Sequence, residues 1–150
     1  MKGEDRARDF EPRDADYERR VRASFARQRA METFRARLLR VAPGEVEIGI
    51  DFDEAYTQQH GYLHAGVVTA LVDTACGYAA LSLTEPGAEV LSVEFKLNLL
   101  SPAAGESFAA RARVVRAGRN ITVCAGDLYA LKGGGEKLVA TMLATMMVMK

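Results

Sequence analysis

A single carboxylate, Asp73, stands in the middle of a run, Ala65 to Leu83, whose other residues are almost all apolar or small. A helix that is apolar all round belongs inside a protein, where an aspartate is costly unless it is paired or used. Aspartate is also a mediocre helix former. A carboxylate that is used rather than paired can take up a proton or act as a nucleophile. Just before and at the start of the same run stands Gln58-Gln59-His60-Gly61-Tyr62-Leu63-His64-Ala65-Gly66. A helix N-terminus offers unpaired N–H groups and the positive end of the dipole, and small residues at 65 and 66 let a ligand oxygen come close. That is the donor set of an oxyanion hole, which stabilises the charge formed when a carbonyl is attacked. Ala65 and Asp73 lie about 12 Å apart along the axis at the usual rise. One carbonyl can hardly touch both in one chain. If both act on one substrate, two chains must meet with their helices side by side.

The elements that position these residues are legible in outline. Residues 1–16 are charged and aperiodic, and a poorly ordered tail is expected there. Tyr17, Val21, Phe25, Met31, Phe34 and Leu38 recur at three-to-four spacing with a skip near Gln28, which predicts an amphipathic helix over 17–40. Pro43-Gly44 ends it, and Glu45 to Asp53 alternates polar and apolar as a half-buried strand does. A loop leads into the central helix, predicted at about 65–83 and stopped by Thr84-Glu85-Pro86-Gly87. Four more strands follow, at Val90–Leu99, Glu106–Arg116, Ile121–Leu131 and Lys137–Val148, separated by short turns. Short links make antiparallel neighbours. The expected fold is α+β: a five-stranded antiparallel sheet that must curl around the apolar central helix, with an extra N-terminal helix, forming one domain over 17–150.

Composition narrows the function. Formal net charge is zero, but residues 1–40 hold 12 Lys/Arg against 8 Asp/Glu, so the basic excess sits on the N-terminal segment. No aromatic interleaving or Gly-rich basic patch accompanies those arginines, so a solvated helix face is expected and no nucleic-acid partner. No apolar stretch follows Met1, and Asp73 breaks the apolar run of near-membrane length, so neither a secretory leader nor a membrane span is expected. Cys76 and Cys124 are isolated, which suggests reduced thiols and a cytoplasmic location. Two histidines, His60 and His64, with no cysteine nearby, argue for no metal site. Cys76 lies one turn from Asp73 and reads as a small buried hydrophobe rather than a nucleophile.

The pattern Gln58-x-x-Gly61-x-x-His64-Ala65-Gly66, with Asp73 nine residues after the histidine, resembles the hotdog-fold acyl-CoA thioesterases of the phenylacetate-degradation type. The resemblance runs over about 31–149 and includes Pro43-Gly44-Glu45, Leu91-Ser92-Val93-Glu94-Phe95 and Leu100-Ser101-Pro102. It implies a long helix held in a curved sheet and subunits that pair, commonly into dimers of dimers. It implies Asp73 as the base or nucleophile acting on a thioester carbonyl, the backbone N–H of Ala65 as oxyanion donor, and Gln58 as a residue placing the carbonyl or the water. His64 falls beside the oxyanion loop, and Ser92 at a position that orients the water. The family's usual His-Gly-Gly is His-Ala-Gly here; alanine keeps its N–H. Gly66 and Gly77 are expected against the substrate, since small residues leave room beside the reacting groups. Arg116 and Arg119, flanking the Ala117-Gly118 turn, are candidates for the phosphates of coenzyme A, with plain surface charge as the alternative. The implied substrate is acyl-CoA, with no further cofactor. Two rivals stand beside hydrolysis: a non-catalytic acyl-CoA-binding module, and a dehydratase or hydratase, which would want a histidine after position 64 that the chain lacks.

Overall fold

The computed structural model describes residues 9–150. Its elements run α1 (Tyr17–Phe25), α2 (Arg29–Thr33), β1 (Arg37–Ala42), β2 (Glu45–Asp51), a 3-10 turn (Glu54–Tyr56), α3 (Ala65–Leu81), β3 (Glu89–Leu99), β4 (Ser107–Ala117), β5 (Ile121–Lys132) and β6 (Gly135–Met149). The strands form one antiparallel sheet in the order β1-β2-β4-β5-β6-β3. The sheet grips α3, whose Leu71, Val72, Ala75, Cys76 and Ala79 are wholly buried. Opposite them lie Ile48, Ile50, Phe108, Cys124, Leu128 and Met146, also sealed from solvent. This is the helix-in-curved-sheet arrangement expected from the sequence.

Two expectations are corrected. The sheet has six strands, not five, and the N-terminal helix does not reach residue 40. The helix breaks at Gln28, which is extended, and α2 ends at Thr33, with Phe34 and Arg35 turning the chain away. There the Ala36 N–H donates to Met31 O and the Arg35 N–H to Glu32 O, with Arg35 at φ 51°. That is a left-handed C-terminal cap, a place that usually holds glycine. An arginine there leaves no such signal in the sequence. Beyond it Leu38 and Val41 pair with Ile48 and Val46, and Pro43-Gly44 closes a β1–β2 hairpin rather than ending a helix. Gly44, at φ 76°, supplies the conformation this turn needs after proline.

Of the segment expected to be poorly ordered, residues 1–8 lie outside the described residues. Residues 9–16 contain no helix or strand, but Phe10 packs on the core and Asp14 meets Arg20 Nε at 3.0 Å. Arg20 then reaches the end of α3, donating to the carbonyls of Leu81, Thr84, Glu85 and Ala88 at 2.9 to 3.3 Å. The Leu81 and Glu85 carbonyls also accept the N–H groups of Thr84 and Ala88, and the guanidinium draws all four carbonyls together. The N-terminal segment is thereby fastened to the helix that carries Asp73.

Helix and sheet approach closely where α3 crosses β5. A Cβ on Gly126 would stand 2.7 Å from Val72 Cγ1 and 2.9 Å from Cys76 Sγ, so only glycine fits. The outer face of the sheet is laced by ion pairs: Arg111 holds Glu136 and Glu47 and lies 4.6 Å over the Tyr129 ring. No helix among the described residues is long and apolar enough to cross a membrane.

Candidate active site

The least buried side of α3 carries Thr69, Ala70, Asp73, Thr74 and Gly77, each half-buried among neighbours that are sealed. Asp73 is held there by one contact from the sheet. The Ser92 hydroxyl donates to its Oδ1 at 2.7 Å. Ser92 reaches inward because β3 bulges between Ser92 and Glu94, and a bulge re-aims the neighbouring side chain. Asp73 Oδ2 has no hydrogen-bond partner among the described residues. Asp73 lines a cavity of about 280 Å³ between α1, α3 and β3. A carboxylate fixed through one oxygen and open at the other is suited to take a proton or attack a carbon.

At the other end of α3, His64 caps the helix. Its Nδ1 accepts the Gly66 N–H at 2.8 Å, which leaves its remaining ring proton on Nε2. A Cβ on Gly66 would lie 3.0 Å from that Nδ1, so the glycine makes room for the histidine. The Gly66 N–H is therefore engaged. The Ala65 N–H is not: it has no acceptor among the described residues and is exposed. Arg35 is the only non-glycine with positive φ among the described residues, so alanine at 65 sits in ordinary backbone. Gln58 braces the preceding loop, its Oε1 accepting the N–H groups of His60 and Tyr62. Its amide NH₂ makes no bond among the described residues, and Gln58 lines a second cavity, of about 390 Å³, with Ala65, Leu99 and Leu100.

The structure thus gathers the sequence candidates into two groups on one chain. Asp73, Ser92 and Gly77 share the first cavity; Gln58 and Ala65 share the second, beside the His64 cap. Arg116 and Arg119 join neither. Arg116 pairs with Val123, in register with Thr145, and Thr145 bonds Glu94 on the outer face, while its neighbour Met146 meets Ser92 on the inner one. Arg116 therefore faces away from α3, and Arg119 lies exposed in the β4–β5 turn.

The cysteines are not nucleophiles in waiting. Burial pushes the Cys76 thiol well above its ordinary value and that of Cys124 up to about 12. The sequence reading missed Ser24 and Gln28, which line the Asp73 cavity from α1 and the α1–α2 junction. They meet Tyr78 and Thr74 across 54 and 46 residues, a distance at which no local spacing signals contact.

Residues 60–137 match the family model described as the thioesterase superfamily. A solved thioesterase family protein from Silicibacter pomeroyi is 53% identical, covering 89% of this chain and 98% of that one, with a TM-score of 0.87. The chain is similar to acyl-coenzyme A thioesterase 13 of Homo sapiens, 35% identical over 92 residues, which are 61% of this chain and 65% of that protein. It thus spans less than two thirds of the length of that relative. The PaaI protein of the E. coli phenylacetic acid degradation operon shares the fold, with a TM-score of 0.79 over 90% of this chain and 94% of that one at 18% identity.

Proposed function

This chain belongs to the thioesterase superfamily, and from that premise we propose that it hydrolyses acyl-CoA thioesters to free acid and coenzyme A. The observation that carries the reading is the state of Asp73: a carboxylate pinned by Ser92 through one oxygen, with the other open to a cavity. The thioester oxygen sits at the Ala65 N–H, with the Gln58 amide beside it. Asp73 then acts as general base or as nucleophile, the two differing in whether a water oxygen or Oδ2 bonds first to the carbonyl carbon. In the base form Asp73 takes the proton of the attacking water, the C–S bond breaks, and the proton passes to the departing thiolate. A thioester is already activated, so one carboxylate and fixed backbone donors suffice without a further cofactor.

The two groups become one site when two chains pair. β3 is an edge strand, and its outer side has no partner in the sheet. Leu91, Val93, Phe95 and Leu99 on it are 43 to 56% exposed, an edge that natural proteins cover. An antiparallel two-fold pairing along this edge brings the Ser92 end of one strand toward the Leu99 end of the other. Ser92 holds Asp73 and Leu99 lines the Ala65 cavity, so each pairing unites one chain's base with the other's oxyanion donor. The smallest active unit in this reading is a homodimer.

Free-thiol release from aryl-, short-, medium- and long-chain acyl-CoAs tests the proposal. Asp73→Asn is expected to lose about 10²- to 10⁴-fold in kcat, the range of a lost general base. Phe95→Lys is expected to sediment as a folded monomer with no turnover. Full turnover by Asp73→Asn would overturn the assignment. Tight binding by the unmodified protein without thiol release would put the non-catalytic binding module in its place.

A further inference from the structure

The start of α3 holds two residues that local preference argues against. His64 is the N-cap, a position that serine, threonine, aspartate and asparagine usually fill. Gly66 stands in the first turn, and glycine is a poor helix former. Its φ is not positive, so the backbone there does not ask for glycine. Each residue explains the other. The His64 ring folds back so that Nδ1 accepts the Gly66 N–H at 2.8 Å. A Cβ on residue 66 would stand 3.0 Å from Nδ1 and 3.3 Å from Cε1, so the ring takes the room that a side chain would fill. Such paired departures from local preference gather at functional sites.

The consequence falls on the residue between them. The Leu63 N–H donates to Ala103 O at 3.0 Å and the His64 N–H to Tyr56 O at 2.9 Å. With the Gly66 N–H taken by the ring, Ala65 is the one residue of 63–66 whose N–H has no acceptor among the described residues. Ala65 also lines the cavity it shares with Gln58, whereas His64 and Gly66 are not among the described residues of that wall. The ring therefore works from behind the cavity. It occupies one of two adjacent donors and braces the first turn, which holds the other donor in one direction.

We propose that His64 is a positioning residue: by capping α3 with its ring it withdraws the Gly66 N–H and fixes the Ala65 N–H as the single backbone donor to the thioester oxygen. Gly66 belongs to the same device, as the residue that admits the ring. This rests on the thioesterase reading for the identity of the oxygen.

Equilibrium binding of two non-hydrolysable thioethers, hexyl-CoA and 2-oxohexyl-CoA, tests it without requiring turnover. The ketone of the second stands in for the thioester carbonyl. The full chain is expected to prefer the ketone by about tenfold, the worth of one good hydrogen bond. His64→Ala should bring the ratio to about one, and His64→Asn, a competent cap, should recover most of it. Gly66→Ala should weaken the preference while the ring is present and leave it intact when combined with His64→Asn. Affinity for hexyl-CoA should stay level throughout, which a general loosening of the fold would not give. Equal binding of the two analogues by the unmodified chain, or binding of neither, overturns the inference. So does a preference that survives or grows in His64→Ala, where the freed Gly66 N–H would be serving the carbonyl. Parallel thiol-release assays separate the two readings. Turnover without this pattern leaves the thioesterase and removes the role of His64. The pattern without turnover keeps that role and moves it to a non-catalytic binding module.

Discussion

Ser92 donates its hydroxyl proton to Oδ1 of Asp73 at 2.7 Å, joining the edge strand β3 to the middle of α3. The bond does more than satisfy a half-buried carboxylate. It leaves Oδ2 free, and it ties Asp73 to an edge strand whose outer side has no partner in the sheet.

In the proposed hydrolysis Ser92 positions Asp73, and its loss should appear in kcat rather than KM. Ser92→Ala is expected to lower kcat about tenfold, equivalent to about 1.4 kcal/mol of transition-state stabilisation. In an Asp73→Asn background the same change should cost almost nothing, because the interaction it removes is already gone. Steady-state kinetics of the two single variants and the double variant give the coupling directly. Equal losses in both backgrounds would separate Ser92 from the carboxylate.

Arg20 predicts a stability effect at a distance. Its guanidinium is bonded to four carbonyls around the end of α3 and to the Thr84 hydroxyl. Arg20→Ala should lower the free energy of unfolding by about 2 to 3 kcal/mol, the scale of charged hydrogen bonds left unmade. Arg20→Lys should recover only part, because an ammonium cannot reproduce the planar fork. Urea unfolding followed by circular dichroism measures both.

The buried thiols set an alkaline limit. Cys76 and Cys124 titrate higher in the fold than in the unfolded chain, where such a thiol titrates near 9. Above that pH the unfolded state loses thiol protons that the native state keeps, so unfolding becomes easier as pH rises. The stabilisation from the neutral buried thiols is fully present below pH 9 and declines toward about pH 12, where Cys124 itself ionises. Thermal unfolding midpoints should fall across that window, and less steeply in the Cys76→Ala, Cys124→Ala double variant. Neither thiol should react with an aromatic disulfide reagent at pH 8 while the protein is folded.

The parts legible in the sequence were those with local patterns. An apolar helix around Asp73, small residues at its N-terminus and strands of period two sufficed for the curved sheet and pointed to residues that line the two cavities. What stayed hidden lacked a local mark. Arg35 ends α2 in a conformation usually taken by glycine, and Leu38 fits a helical repeat as well as it fits a strand, so β1 read as helix. Ser24 and Gln28 line the Asp73 cavity from α1 and its junction with α2, and only the folded chain brings them to Tyr78 and Thr74. The Gly66 N–H was equally available in the sequence, and the structure assigns it to the His64 ring instead.

The separation of Ala65 from Asp73 along α3 has a genetic consequence. On a site shared by two chains, a pair made from one chain without Asp73 and one with a broken His64–Gly66 loop has one site with both faults and one with neither. Two inactive alleles would then rescue each other when expressed together. A chain carrying both faults would instead spoil every pair it joined, and its effect would be dominant.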